Sequence, residues 1–135
     1  MSLYPKSPYH ILPLLIGTTI SIAGFPAYFN LPGAIRYFGL PERIASSPAA
    51  HSPWILYTSR IQAVGMMLLV FYAQGNYQAV DTVMCFMPAF AAMDVWVVVR
   101  EGVPQRAWMR ATVGLVCGVY GALGGSRVSI SCWGE

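Results

Sequence analysis

Arg60 and Asp94 are ionisable residues inside apolar runs long enough to cross a bilayer. Their placement about the turn Gln74-Gly75-Asn76-Tyr77-Gln78 is the feature most able to do chemistry. If residues 54–73 and 79–99 are helices folded back at that turn, Arg60 lies six residues in from Trp54, and Asp94 five before Val99. At 1.5 Å of rise per residue, both are about 8–9 Å from the same membrane face. The spacing predicts a pair at one depth. Ionisable side chains in lipid-spanning helices are costly, generally face the bundle interior and mark functional sites. Arg60 would hold a carbonyl or enolate oxygen through its fork of donors, and Asp94 would serve as general acid or base. Tyr57, one turn before Arg60, and His51 are the proton partners at hand. Met67 and Phe71 continue the Arg60 face while Met87 and Phe90 flank Asp94, giving an apolar lining for a flat lipophilic substrate. The competing reading is an ion pair that only fixes helix register, with the Met and aromatic side chains as core.

Composition says what surrounds these residues. Of 135 residues, 56% are hydrophobic and 10% charged, with a mean hydropathy of +0.55, whereas a soluble domain has about a quarter charged residues. An integral membrane protein follows, as a single domain over residues 1–135. The net charge of +3 is small and dispersed, which argues against a nucleic-acid partner. Cys85, Cys117 and Cys132 are odd in number and lack CxxC spacing, so neither a disulfide framework nor a zinc site is expected. His10 and His51 are too few imidazoles for haem, di-iron or copper, and no metal or other cofactor is expected. Nucleophile-elbow, Walker and Rossmann patterns are absent, as is a transporter-type repeat.

The elements that must position the pair are all helical: a four-helix membrane bundle with spans at about residues 11–29, 54–73, 79–99 and 108–123. The first is about 28 Å long as a helix, close to the bilayer core. Gly17, Ser21 and Gly24 give it a small-residue face, and Pro26 should kink or end it near Phe25. A cleaved signal peptide is the lesser reading, since the run is long for an h-region and Ile22 suits a cleavage site poorly. In residues 30–53, Asn30-Leu31-Pro32 starts and Gly39-Leu40-Pro41 stops a short interfacial helix, an anchor or a lid. Ser46-Ser47-Pro48 and Ser52-Pro53 read as breakers before the second span. Asp81 belongs to the start of the third helix, where it would favour the positive dipole end and reach headgroup water. Gly114, Gly118 and Ala122 step by four, as do Gly121 and Gly125. That is more small surface than one neighbour needs, which points to a homo-oligomer or an assembly partner. From Ser126 the chain belongs to no span. Arg36, Arg43, Arg100, Arg106 and Arg110 against Lys6 and Arg127 make the first and third loops cytosolic.

The order of a glycine-containing first span, Phe38-Gly39-Leu40-Pro41, Arg60 followed by Gly65, and Asp94 late in the third span resembles one known family. These are the small four-helix membrane proteins grouped as domain of unknown function 4267, found in fungi and bacteria and distantly similar to DoxX-like proteins. The resemblance runs from about Gly17 to Gly125. Ile61 stands where members often have an acidic residue after the arginine, and the last helix lacks the histidine often found there. Fungal members occur in natural-product gene clusters, where small membrane proteins act as cyclases, isomerases or cofactor-free, anthrone-oxygenase-like oxygenases. The resemblance therefore implies an enzyme of secondary metabolism in the endoplasmic reticulum or another endomembrane. It would cyclise or isomerise a polyketide- or terpenoid-like substrate without a redox cofactor. The rivals are a cofactor-free oxygenase and a non-catalytic binding or assembly protein.

Overall fold

In an apolar surrounding a chain must satisfy its backbone N–H and C=O groups within the segment, so long apolar runs become helices. The computed structural model describes residues 8–102 and 104–126, with backbone only for residues 104–106, and those residues are helices and short turns. A 3-10 turn at Pro8–His10 leads into α1 (Ile11–Ala23), followed by α2 (Phe25–Phe29), α3 (Leu31–Phe38), α4 (Glu42–Ala45), α5 (Pro48–Ala73), α6 (Tyr77–Glu101) and α7 (Pro104–Ala122).

Local signals set most boundaries. The first apolar run breaks at Gly24, two residues before Pro26, because the proline has no N–H to continue the ladder. Asn30 caps α3, its Oδ1 accepting the Gly33 N–H at 3.0 Å. Gly39 ends α3 at φ 111°, a left-handed conformation that favours glycine. Asn76 caps α6 in the same way, through the Ala79 N–H at 3.2 Å. The expected breakers before the second span did not break it. Helix α5 starts at Pro48, where the missing N–H would be unbonded anyway, and runs on through Pro53. The helix is thus six residues longer at its start than the expected 54–73.

Packing divides the long helices into two pairs. Helix α1 lies along α5 and α7 along α6, while α5 and α6 touch far less. Each pair is built on glycine. A Cβ at Gly65 would meet Gly17 O at 3.0 Å and Ser21 Oγ at 2.8 Å. On the other side Gly114 faces Ala91, and Gly118 receives the ring of Pro88. Of the small residues expected to exceed one neighbour's need, Gly114, Gly118 and Gly121 face α6 of the same chain, Gly125 faces Tyr120, and Ala122 is exposed. Leu68, Tyr72, Val80, Met84, Met87 and Cys117 form the main core. A second cluster joins Ile35, Leu40 and Ala45 to Trp54 and Val97 beneath the α3 and α4 segment.

Much of the apolar surface faces outward: Leu15, Met66, Phe86 and Leu115 are all exposed. Among the described residues three stretches, Pro8–Phe29, Pro48–Ala73 and Tyr77–Glu101, are long and apolar enough to cross a membrane. The chain is a membrane protein by that criterion. Helix α7 is not among the three, its first turns carrying Gln105, Arg106 and Arg110.

Candidate functional site

Two antiparallel helices joined by a tight connection bring into register residues equally far from the turn. Asp94 is eight residues before Gly102 and Arg110 eight after it, sixteen apart in the chain. Arg110 Nη1 lies 3.0 Å from Asp94 Oδ2, both side chains about a fifth exposed. The same guanidinium donates from Nη2 to the Phe38 carbonyl at 3.1 Å and lies 3.6 Å over the centre of the Phe38 ring. Its Nε is buried without a hydrogen-bond acceptor among the described residues.

The expected pair of Arg60 with Asp94 does not form: no ion pair within 4.0 Å links them. Register explains the outcome. Measured from the α5–α6 turn, Asp94 is seventeen residues beyond Tyr77, Tyr57 sixteen before Ala73 and Arg60 only thirteen. Counting depth from Trp54 and Val99 placed Arg60 level with Asp94 because those two residues are not themselves level, Trp54 being nineteen before Ala73 and Val99 twenty-two beyond Tyr77. Tyr57 takes that level instead, its hydroxyl donating to both carboxylate oxygens, at 3.2 Å to Oδ1 and 3.3 Å to Oδ2. Phe38, Trp54 and Tyr57 close around it with ring centres 4.8–5.8 Å apart.

Beside this cluster the sparse contact between α5 and α6 leaves an open groove of about 370 Å³. Pro53, Leu56, Tyr57, Arg60, Ile61 and Val64 line it from α5, and Phe90 from α6. Of the four side chains expected to bind substrate, only Phe90 lines it. Met87 is in the core and Phe71 packs against that core, while Met67 points outward, 46% exposed. His51 is also elsewhere, with Nε2 3.3 Å from the Ala45 carbonyl. The groove therefore unites Tyr57, Arg60 and Phe90, with Asp94 one hydrogen bond behind. Arg110 was read as a loop cation; its equal offset from Gly102 was the signal for its true place.

A second polar cluster lies at the other end of α6. Asp81 is 2% exposed rather than at headgroup water, and its Oδ1 accepts the Ser126 N–H at 2.9 Å. Tyr120 donates to the Tyr9 carbonyl at 2.6 Å and sits 3.2 Å from Ser126 Oγ. Buried His10 bonds through Nδ1 to the Tyr72 hydroxyl at 2.9 Å and packs against the Tyr77 ring. Among the described residues no three His, Cys, Asp or Glu side chains converge as a metal site would need. Lys6, Arg127, Cys132 and the tail after Ser126 lie outside the described residues.

Residues 17–124 match the family model described as "Domain of unknown function (DUF4267)". No curated protein matches the chain, and no solved structure does.

Proposed function

We propose, for a chain that belongs to the DUF4267 family and whose family description names no activity, that the groove is the active site of a small membrane enzyme. The enzyme moves a proton within a lipophilic, carbonyl-bearing substrate of polyketide or terpenoid type, so that the substrate isomerises or cyclises without a redox step. One observation carries this reading: Tyr57 lines the groove while its hydroxyl is bonded to Asp94. The Tyr57 oxygen takes a proton from the carbon beside the carbonyl as its own proton passes to Asp94. Arg60 holds the oxygen on which negative charge develops. The reverse transfer delivers a proton to a different carbon, and the net change is an isomerisation. Arg110 keeps the Asp94 carboxylate oriented through its ion pair.

In this reading α7 completes a four-span bundle. The Arg36, Arg43 and Arg100 end is cytosolic, in the endoplasmic reticulum or another endomembrane. The test uses purified full-length protein in detergent and the metabolite that accumulates when the gene is deleted. Tyr57→Phe should lower turnover at least about 100-fold, the usual scale of a lost proton-transfer group, with thermal unfolding unchanged. Full turnover in that variant would leave Asp94 and Arg110 as a register lock between α6 and α7, the non-catalytic reading. Stoichiometric uptake of dioxygen would select a cofactor-free oxygenase instead.

A further inference from the structure

Five arginines have described side chains, and four of them lie within 4.0 Å of a carboxylate. Arg36 pairs with Glu42, Arg43 and Arg100 with Glu101, and Arg110 with Asp94. Arg60 has no such partner among the described residues, although it is the thirteenth residue of the 26-residue α5. The nearby acid is already committed, since Asp94 accepts from both Arg110 and Tyr57. Arg60, Asp94 and Arg110 together carry one excess positive charge. That charge borders a groove whose other walls, apart from Tyr57, are apolar: Pro53, Leu56, Ile61, Val64 and Phe90. Arg60 is exposed, and a guanidinium in a membrane-spanning segment is costly where no carboxylate, backbone carbonyl, water or bound anion meets it.

We propose that the groove binds a monoanionic amphiphile, with a carboxylate or enolate head on Arg60 and one apolar body along Ile61, Val64 and Phe90. This rests on the function above only in taking the groove as the substrate site. It adds that the carbonyl-bearing substrate is also an acid, its anionic head and its carbonyl oxygen sharing the donors of Arg60. A guanidinium presents two parallel N–H donors that match the two oxygens of a carboxylate or of a 1,3-dicarbonyl enolate. The volume of about 370 Å³ is that of a small-molecule site, and suits a single body rather than the two chains of a phospholipid.

The experiment measures binding, not turnover, with full-length protein in detergent micelles. The probes are the fluorescent fatty acid cis-parinaric acid and its neutral methyl ester. The wild-type protein should hold the acid at least tenfold more tightly than the ester. Arg60→Gln should bring the acid down to the ester's affinity and leave the ester unchanged, and Arg60→Lys should keep part of the preference. Val64→Trp, which fills the groove, should remove both ligands. Equal wild-type affinities, which need no variant to fold, would overturn the proposal, and so would an acid preference surviving in Arg60→Gln. Displacement of the acid by phosphatidylglycerol but not by phosphatidylcholine would also overturn it, by making the occupant a phospholipid. The two readings of the groove fail separately. Tyr57→Phe should keep the acid preference while losing turnover. If it keeps both, only the proton transfer falls. If the wild-type protein lacks the preference while Tyr57→Phe abolishes turnover, only the anion falls.

Discussion

Asp81 and Asp94 stand on one helix, thirteen residues or about 20 Å apart, yet the surroundings give them opposite characters. Asp81 is buried, and a backbone N–H near the end of the described chain is one of its partners. Asp94 is partly open, and its donors are the side chains of Tyr57 and Arg110. A carboxylate 2% exposed is placed to hold structure, whereas one bonded to a tyrosine that lines a groove has a route for exchanging a proton with a ligand. The difference arises from packing, because glycines press α7 onto α6 near Asp81, whereas beside Asp94 helices α5 and α6 stand apart.

The largest effect should come from forcing the buried end open. A Cβ at Gly121 would meet Asp81 O at 2.5 Å and Cys85 N at 2.6 Å, backbone atoms that cannot move aside. Gly121→Leu should cost about 3 kcal/mol, the upper range for overpacking, read by SDS-induced unfolding in mixed micelles. A loss under about 1 kcal/mol would mean that the hairpin is looser than its packing implies.

Exchanging the two carboxylates for amides sharpens the comparison at an intermediate scale. Asp81→Asn should destabilise by about 1–3 kcal/mol, as a buried donor and acceptor arrangement is disturbed. Asp94→Asn breaks a pair whose side chains are only about a fifth exposed and should destabilise by a comparable amount, but unlike Asp81→Asn it should also lose turnover. Retained turnover in Asp94→Asn would erase the distinction between a structural and a working carboxylate.

The smallest effect concerns the loop over the open end. Arg36 Nη2 donates to Glu42 Oε1 at 2.6 Å, and this bonding, aided by the charge of Arg36, holds the Glu42 carboxyl below its usual value of 4.5 against the opposing effect of desolvation. A folded-state pKa lowered below the unfolded one contributes stability above the unfolded value and loses it as pH falls through the folded one. Thermal unfolding followed from pH 6 to pH 3 should therefore decline slightly less steeply in Glu42→Gln than in the wild-type protein. An identical decline would show that this exposed pair contributes nothing measurable.

Much of the fold was legible because its signals are local. Asn30 and Gly39 bounded α3 correctly, and Asn76 opened α6 within the turn read from Gln74 to Gln78. The small-residue faces at Gly17 and at Gly114 and Gly118 were correctly read as packing surfaces. Pro48 and Pro53 misled, since a proline is harmless in the first turn and tolerated a turn later when the helix continues into an apolar segment. Taking Trp54 and Val99 as level set Arg60 opposite Asp94 where Tyr57 belongs, while Met67 and Phe71, chosen by helical spacing from Arg60, fall outside the lining that Ile61 and Val64 provide.

What the sequence determined by itself is a small, helical, membrane-embedded chain with ionisable residues inside apolar segments, because hydropathy, helix caps and turn glycines act within a few residues of the chain. Only the tertiary structure decided that Asp94 belongs to Arg110 and Tyr57, that Asp81 is buried and that Arg60 faces a groove without a carboxylate. Those outcomes depend on which face each helix turns to a neighbour distant in sequence, and the close approach of glycine to backbone selects that rotation.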